Sequence, residues 1–189
     1  MIARLAIDLN RMENDHDRHR RKDERKEETD VENKMDVAKM LRDFCGAVEN
    51  HDGQRLAQLF CEDGVYHDVF YGAFAGRARI AELIDVWFYK DAEDFRWDMV
   101  DTVFDGRTLY TRYLFSFRSL LPEARHARAM FEGVSLMKIR DGRIAEYSEI
   151  ANVAPAFADM NFAPERIAKL AARQANELKK RPEMARHLA

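Results

Sequence analysis

A chain of 189 residues with 31 lysines and arginines against 34 aspartates and glutamates has a net charge of -3. That balance excludes the basic face or stripe a nucleic-acid binder presents. No uninterrupted apolar run approaches the roughly 20 residues a bilayer span requires, and the opening Met1–Asp8 lacks the long apolar region and cleavage site of a signal peptide. A single domain with its own core and a cytoplasmic location are expected.

From Asn10 to Lys34 charged residues dominate, and nothing there can bury. Residues 1–32 are therefore read as a solvated, disordered arm, in which the basic cluster Arg18–Lys22 is neutralised by the acids that follow. Met12 and Met35 are alternative starts. A folded domain is expected over 33–155, with a helical extension over 156–189. Val37, Met40, Leu41, Phe44, Cys45 and Val48 recur at three and four residues, which predicts an amphipathic helix ending near Asn50–Gly53. Leu56, Ala57, Leu59 and Phe60 predict a second, short helix closed by Asp63-Gly64. Cys45 and Cys61 lie in or beside these helices without metal-ligand spacing and read as reduced thiols.

Next comes a short strand, Val65–Val69, then a glycine-bearing loop to Gly76. A helix over Arg77–Tyr89 follows, with Ile80, Leu83, Ile84 and Trp87 on one side. Beyond Asp91 four runs rich in aromatic and branched residues, 95–104, 107–119, 126–140 and 143–153, are separated by Asp105-Gly106, Leu120–Glu123 and Asp141-Gly142. Asp-Gly between such runs is a strong hairpin signal. Helices first and strands second indicate an α+β fold: a cone-shaped, curved antiparallel sheet packed against N-terminal helices. Pro164 opens a C-terminal helix carrying Ile167, Leu170, Ala171 and Leu178. That helix packs outside, closes a pocket mouth or meets a partner subunit.

Alternation along the first strand puts Tyr66 and Asp68 on one face and Val65, His67 and Val69 on the other. A carboxylate and a phenol in an apolar segment point to function, or to an aspartate that caps a turn at the strand end. A two-residue Asp141-Gly142 turn pairs Arg140 with Arg143, so Leu136 is expected opposite Tyr147, Val134 opposite Glu149 and Glu132 opposite Ala151. Absent a bulge, Glu132 and Glu149 then share a face with Tyr147. A turn centred on Leu121–Ala124 adds Tyr113, Thr111, Phe115 and Phe117, whereas a slip of one would replace Tyr113 by Arg112. The catalytic candidates are Asp68 as base, with Glu149 or Glu132 as acid, since crowded buried carboxyls separate into one ionised and one neutral group. Tyr66, Tyr113, Tyr147, Phe44, Trp87 and Phe115 are expected to line the substrate pocket. The alternative for each glutamate is an exposed strand residue or an ion pair with Arg112, Arg118 or Arg128. No His/Cys/carboxylate spacing suggests a metal, and Gly72-x-x-x-Gly76 lacks the Lys-Ser/Thr of a phosphate loop, so no cofactor is expected.

The order of elements, with Asn50-His51-Asp52 running into Leu56–Phe60, then Glu62–Asp68, Gly76 opening a helix, and Lys138–Tyr147 around Asp141-Gly142, resembles the nuclear transport factor 2-like (cystatin-like) superfamily. Its ketosteroid isomerases, SnoaL-like polyketide cyclases, limonene epoxide hydrolase and scytalone dehydratase share this fold across about Met35–Val153. The resemblance implies that Asp68 stands at the isomerases' general base and Glu132 near their protonated acid. Phe44 replaces their phenol. Glu149 stands at the pocket aspartate of the hydrolase and some cyclases, and Tyr66 at the hydrolase's tyrosine. Asp68 replaces the hydrolase's asparagine, and Tyr113 and Phe115 fall at its arginine and aspartate, which argues against plain epoxide hydrolysis. The fold hosts enzymes, binding modules and transport factors alike. Three readings remain: an acid–base isomerase, cyclase or dehydratase of a small hydrophobic oxygenated molecule, a non-catalytic small-molecule-binding module, and a scaffold that recruits another protein. A homodimer through the outer sheet face, with Tyr110 and Leu114, is expected; nucleic-acid and membrane partners are not.

Overall fold

The computed structural model describes residues 36–189. The expected arm over 1–32, its basic cluster Arg18–Lys22 and the alternative starts Met12 and Met35 lie outside the described residues.

Helix α1, Val37–Glu49, buries Met40, Leu41, Phe44, Ala47 and Val48, one stripe at helical spacing. Asp52 caps helix α2, Gly53–Gln58, by accepting a hydrogen bond from the Arg55 amide at 2.8 Å. Phe60, expected at the end of this helix, instead opens strand β1, Phe60–Asp68. The glycine-bearing segment is not a plain loop: Gly72–Ala75 forms an edge strand, β2, antiparallel to β1. Helix α3, Arg77–Glu82, passes into a π-helical stretch over Leu83–Phe88 and a last turn at Tyr89–Asp91.

Four long strands follow: β3 (Ala92–Phe104), β4 (Thr108–Ser119), β5 (Arg128–Arg140) and β6 (Arg143–Asn152). They form one curved, unclosed sheet in the order β2-β1-β6-β5-β4-β3. All neighbours are antiparallel except β1 and β6, which run parallel. This is the expected α+β architecture. Helix α1 lies on the inner face, where Phe44 meets Tyr66, Trp97 and Tyr147. A short helix that the sequence did not signal, α4 (Ala154–Asp159), precedes the C-terminal helix α5 (Pro164–Lys179). Among the described residues no helix is long and apolar enough to cross a membrane, and Cys45 and Cys61 are free thiols.

Both hairpins depart by one residue from the expected register. Arg140 does pair with Arg143 across Asp141-Gly142, both left-handed (φ 52° and 68°). Ala145 is then an extra residue on β6, because Ile139 pairs with Ile144 but Lys138 with Glu146. Opposite this bulge β1 makes a detour of its own: Phe60 pairs with Ile144 and Val65 with Glu146. Gly64 sits in that detour, where a Cβ would lie 2.9 Å from the Cys61 carbonyl oxygen. At the other hairpin, Pro122–Ala124 and left-handed Arg125 and His126 (φ 50° and 58°) set Tyr113 opposite Gly133. The two shifts cancel for β4 and β6 and invert β5 alone. Phe131, Ser135 and Met137 therefore face the core, and Glu132 and Val134 face out.

Deleting Ala145 should leave Ile144, Tyr147 and Glu149 on the inner face, since Ile139–Ile144, Lys138–Glu146 and Met137–Tyr147 then follow one another in an unbroken ladder. Deleting Ser148 instead sets Tyr147 and Glu149 on opposite faces, and its expected loss is larger by about 3 kcal/mol, as for other large core disruptions. Urea denaturation of the two deletion variants checks it; equal midpoints would show that the bulge does not set the faces.

Candidate active site

Strand β1 carries Tyr66 and Asp68 to the inner face and His67 to the outer, where its Nε2 lies 3.3 Å from Glu146 Oε1. Asp68 is 8% exposed. Its Oδ1 accepts hydrogen bonds from the Phe70 and Tyr71 amides, both at 2.8 Å. The turn-capping role read from sequence is thus real, and it occupies one oxygen. Oδ2 makes no hydrogen bond to the described residues.

Strand β6 adds Tyr147 and Glu149, and β4 adds Tyr113. Tyr113 Oη donates to Glu149 Oε2 at 2.6 Å, and Tyr147 Oη reaches the same oxygen at 3.3 Å. Ser135 Oγ, across from Glu149 on β5, is 2.9 Å from Tyr147 Oη. Tyr113 and Glu149 are on strands separated by β5, and the phenol crosses at Gly133. A Cβ there would lie 2.6 Å from Tyr113 Oη and 2.7 Å from the Ile150 carbonyl oxygen, so no larger residue leaves the crossing open. Phe44 fills the centre, its ring 5.3 Å from those of Tyr147 and Trp97. Tyr66 and Tyr147 lie 4.3 Å ring to ring. Tyr66 Oη and Trp97 Nε1 are buried and have no hydrogen-bond partner among the described residues. An unpaired buried donor is costly, so these two stand with Asp68 Oδ2 as unpaired polar groups of the site.

Burial pushes the Asp68 carboxyl up to about 6, against the pull of the two turn amides. Burial, and then the charge on Asp68, push Glu149 up to about 8, while the Tyr113 and Tyr147 hydroxyls and the Val69 amide pull it back. Burial holds the Tyr66 and Tyr147 phenols well above their ordinary range. The two carboxyls titrate as a pair, so at neutral pH they share one proton, held mainly by Glu149. Oε2 accepts from both phenols, which leaves Oε1 as the oxygen open to a substrate.

Glu132 is not in this group. The inverted β5 leaves it exposed on the outer face, with Oε2 3.8 Å from Arg112 Nη1, the ion pair that sequence offered as the alternative. Trp87 stands apart as well: its ring packs on Tyr71 (5.6 Å) and Phe74 (6.3 Å), and Nε1 donates to Glu82 at 3.3 Å. Phe115 lines a neighbouring cavity of about 290 Å³ whose walls also include Phe70, Phe88, Phe95 and Phe157. Asp68 and Glu149 are not on that wall. Phe131 joins the two regions, its ring 6.1 Å from Tyr113 on one side and 5.2 Å and 5.9 Å from Phe115 and Phe70 on the other. Sequence reasoning missed Phe131 and Ser135, which follow from the β5 inversion. Trp97 also lies in the site, and the inward alternation of Phe95 and Trp97 was the available signal for it.

The family model of the SnoaL-like domain matches residues 41–147. The chain belongs to the SnoaL-like domain family. Similar solved structures include TsrD from Streptomyces laurentii, at 17% identity and a TM-score of 0.58, covering 67% of this chain and 96% of that one. An LEH-like epoxide hydrolase of M. tuberculosis shares 18% identity, with a TM-score of 0.53 over 69% of this chain and 92% of that one. A hypothetical protein of ketosteroid isomerase-like fold from Catenulispora acidiphila, in complex with trimethylamine, shares 15%, with a TM-score of 0.57 over 66% and 97%. At these identities the likeness establishes the fold. No curated protein matches the sequence. In this SnoaL-like chain Glu149 follows the last matched residue by two positions.

Glu149 ionises near 4.5 when unfolded and well above that when folded. Below the unfolded value both states hold the proton and its full stabilising effect is present. As pH rises toward about 8 the unfolded chain releases the proton first, and stability falls. Glu149→Gln removes this slope, so the melting temperature of the variant minus that of the wild type should rise from pH 5 to pH 8. A difference that stays flat would show that no proton is held there.

Proposed function

We propose that this chain is a cofactor-independent acid–base catalyst of the isomerase, cyclase or dehydratase type, acting on a small hydrophobic oxygenated molecule. The observation that carries the reading is the pair of buried carboxyls, Asp68 and Glu149, brought from β1 and β6 into one group with Tyr113 and Tyr147. Asp68 Oδ2 takes a proton from carbon next to a carbonyl. The C–H electron pair becomes the C=C bond of an enol as Glu149 Oε1–H protonates the carbonyl oxygen. Return of the proton to another carbon completes an isomerisation; loss of a β-hydroxyl as water completes a dehydration. Tyr66 Oη orients the substrate oxygen, a role supported by its lack of a partner among the described residues. These steps are proton transfers and call for no electron carrier. The substrate body occupies the aromatic cavity, and its reacting carbon reaches the carboxyls past Phe131 and Phe70.

Solvent deuterium uptake into 1-tetralone, a bicyclic ketone, tests this by mass spectrometry. Wild type should exchange fastest between about pH 6 and 8, where the pair carries one proton. Asp68→Asn should slow exchange roughly 100-fold. Exchange that persists in Asp68→Asn would remove Asp68 as the base. The second reading, a non-catalytic binding module, is favoured by one observation: the cavity wall omits both carboxyls. Saturable tetralone binding without exchange in the wild type would select it.

The outer sheet face is the proposed homodimer surface. Tyr110, Leu114, Met130, Val134 and Ile150 are all exposed there, Ile150 to 78%, and Arg112, Val134 and Ile150 stand in one row across β4, β5 and β6. Apolar side chains gathered on one sheet face suit a two-fold interface. At tens of micromolar the mass in solution should be twice that of the chain, and Ile150→Glu should halve it. A wild-type monomer at that concentration would overturn the proposal.

A further inference from the structure

One wall of the aromatic cavity is built by sequence beyond the SnoaL-like match. Phe157 of α4, Met160 and Phe162 after it, and Arg166, Leu170 and Arg173 of α5 form this wall, and all follow Tyr147, the last matched residue. The facing wall is the ring set Phe88, Phe95, Phe115 and Phe117, with successive centroids 5.6–6.0 Å apart along Phe88–Phe95, Phe95–Phe115 and Phe115–Phe117.

Helix α5 buries none of its residues, and two arginines hold it. Arg166 Nη1 donates to Glu123 Oε1 at 2.6 Å, and its guanidinium lies 3.6 Å over the Phe162 ring. Its charge is thereby neutralised. Arg173 differs. Its Nη2 donates to the Phe70 carbonyl oxygen at 3.0 Å, a neutral acceptor, and no carboxylate among the described residues lies within ion-pair distance. Asp91 lines the same cavity, also without a cation partner among the described residues. The wall thus holds one guanidinium that no carboxylate cancels, tethered to the turn whose amides hold Asp68.

We propose that this cavity takes a ring compound bearing an anionic group, with its rings between the aromatic walls and its anion on Arg173. The C-terminal extension is then the element that sets substrate choice. A volume of about 290 Å³ lies at the small end of ligand pockets and suits one or two rings rather than a four-ring skeleton. A planar guanidinium with donors to spare matches a carboxylate or sulfonate, and such contact far from the reacting carbon supplies binding energy to the chemistry. The inference deepens the acid–base reading, resting on it only for what happens to the molecule once bound.

Two fluorescent two-ring probes with the same aromatic group test it on the full chain: 2-naphthalenesulfonate, which carries the anion, and 2-methylnaphthalene, which does not. Both should bind saturably. Arg173→Gln should weaken the sulfonate by at least about threefold, the upper range for an exposed ionic contact, and leave the neutral probe unchanged. Asp91→Asn should tighten the sulfonate. Leu170→Glu, a change on a half-buried wall position, should weaken both probes with no change in melting temperature. Equal sulfonate affinity in wild type and Arg173→Gln, or equal weakening of both probes in that variant, would overturn the proposal. Asp68→Asn should bind both probes as wild type does. A probe pattern that holds while tetralone exchange is absent would therefore support this inference and remove the catalytic reading, and the two fail separately.

Discussion

The extra residue at Ala145 is the constraint on which the rest of the inner face depends. Were Ala145 paired as an ordinary strand residue, alternation from Ile144 would turn Tyr147 and Glu149 outward, because a strand exchanges faces at every residue. With the bulge, Ile144, Tyr147 and Glu149 all look inward while Arg143 and the Asp141-Gly142 turn keep regular hairpin geometry. The detour of β1 past the same point lets β1 run parallel to β6 and set Tyr66 opposite Tyr147. Two irregular segments therefore fit one another.

What this geometry creates is a dry group of acids and phenols. Burial alone would make both carboxyls neutral, but they do not sit in equal surroundings. Asp68 is tied to two backbone amides, which favour its charge. Glu149 is tied to phenols and lies in the field of Asp68. Unequal surroundings drive the two apart and leave an ionised group beside a protonated one near neutral pH. Gly133 matters as much as any charged residue, since it lets Tyr113 cross β5 to reach Glu149.

The cavity and the carboxyls are neighbours joined through aromatic rings. Phe131 touches the ring of Tyr113 on one side and those of Phe70 and Phe115 on the other. The carboxyl side, apart from Glu149, belongs to the segment the family shares, and the outer wall of the cavity belongs to the extension. Such a division suits a fold in which chemistry and selectivity change independently.

Sequence by itself determined the helical stripe of α1, the four-strand meander, the Asp141-Gly142 turn and the pairing of Tyr66 with Asp68 on one face. Each rests on local periodicity or turn chemistry, which a few adjacent residues encode. It also placed Tyr113, Tyr147 and Glu149 together, although through two register errors that cancelled. Tertiary structure decided the orientation of β5, and with it the removal of Glu132 to the surface and the entry of Phe131 and Ser135. It also decided the strand at Gly72–Ala75, the position of Trp87 and the wall formed by α4 and α5. The physical reason is common to all of them: a bulge, an edge pairing or a helix laid over a cavity is stabilised by contacts distant in the chain, and no local pattern records which contacts those are.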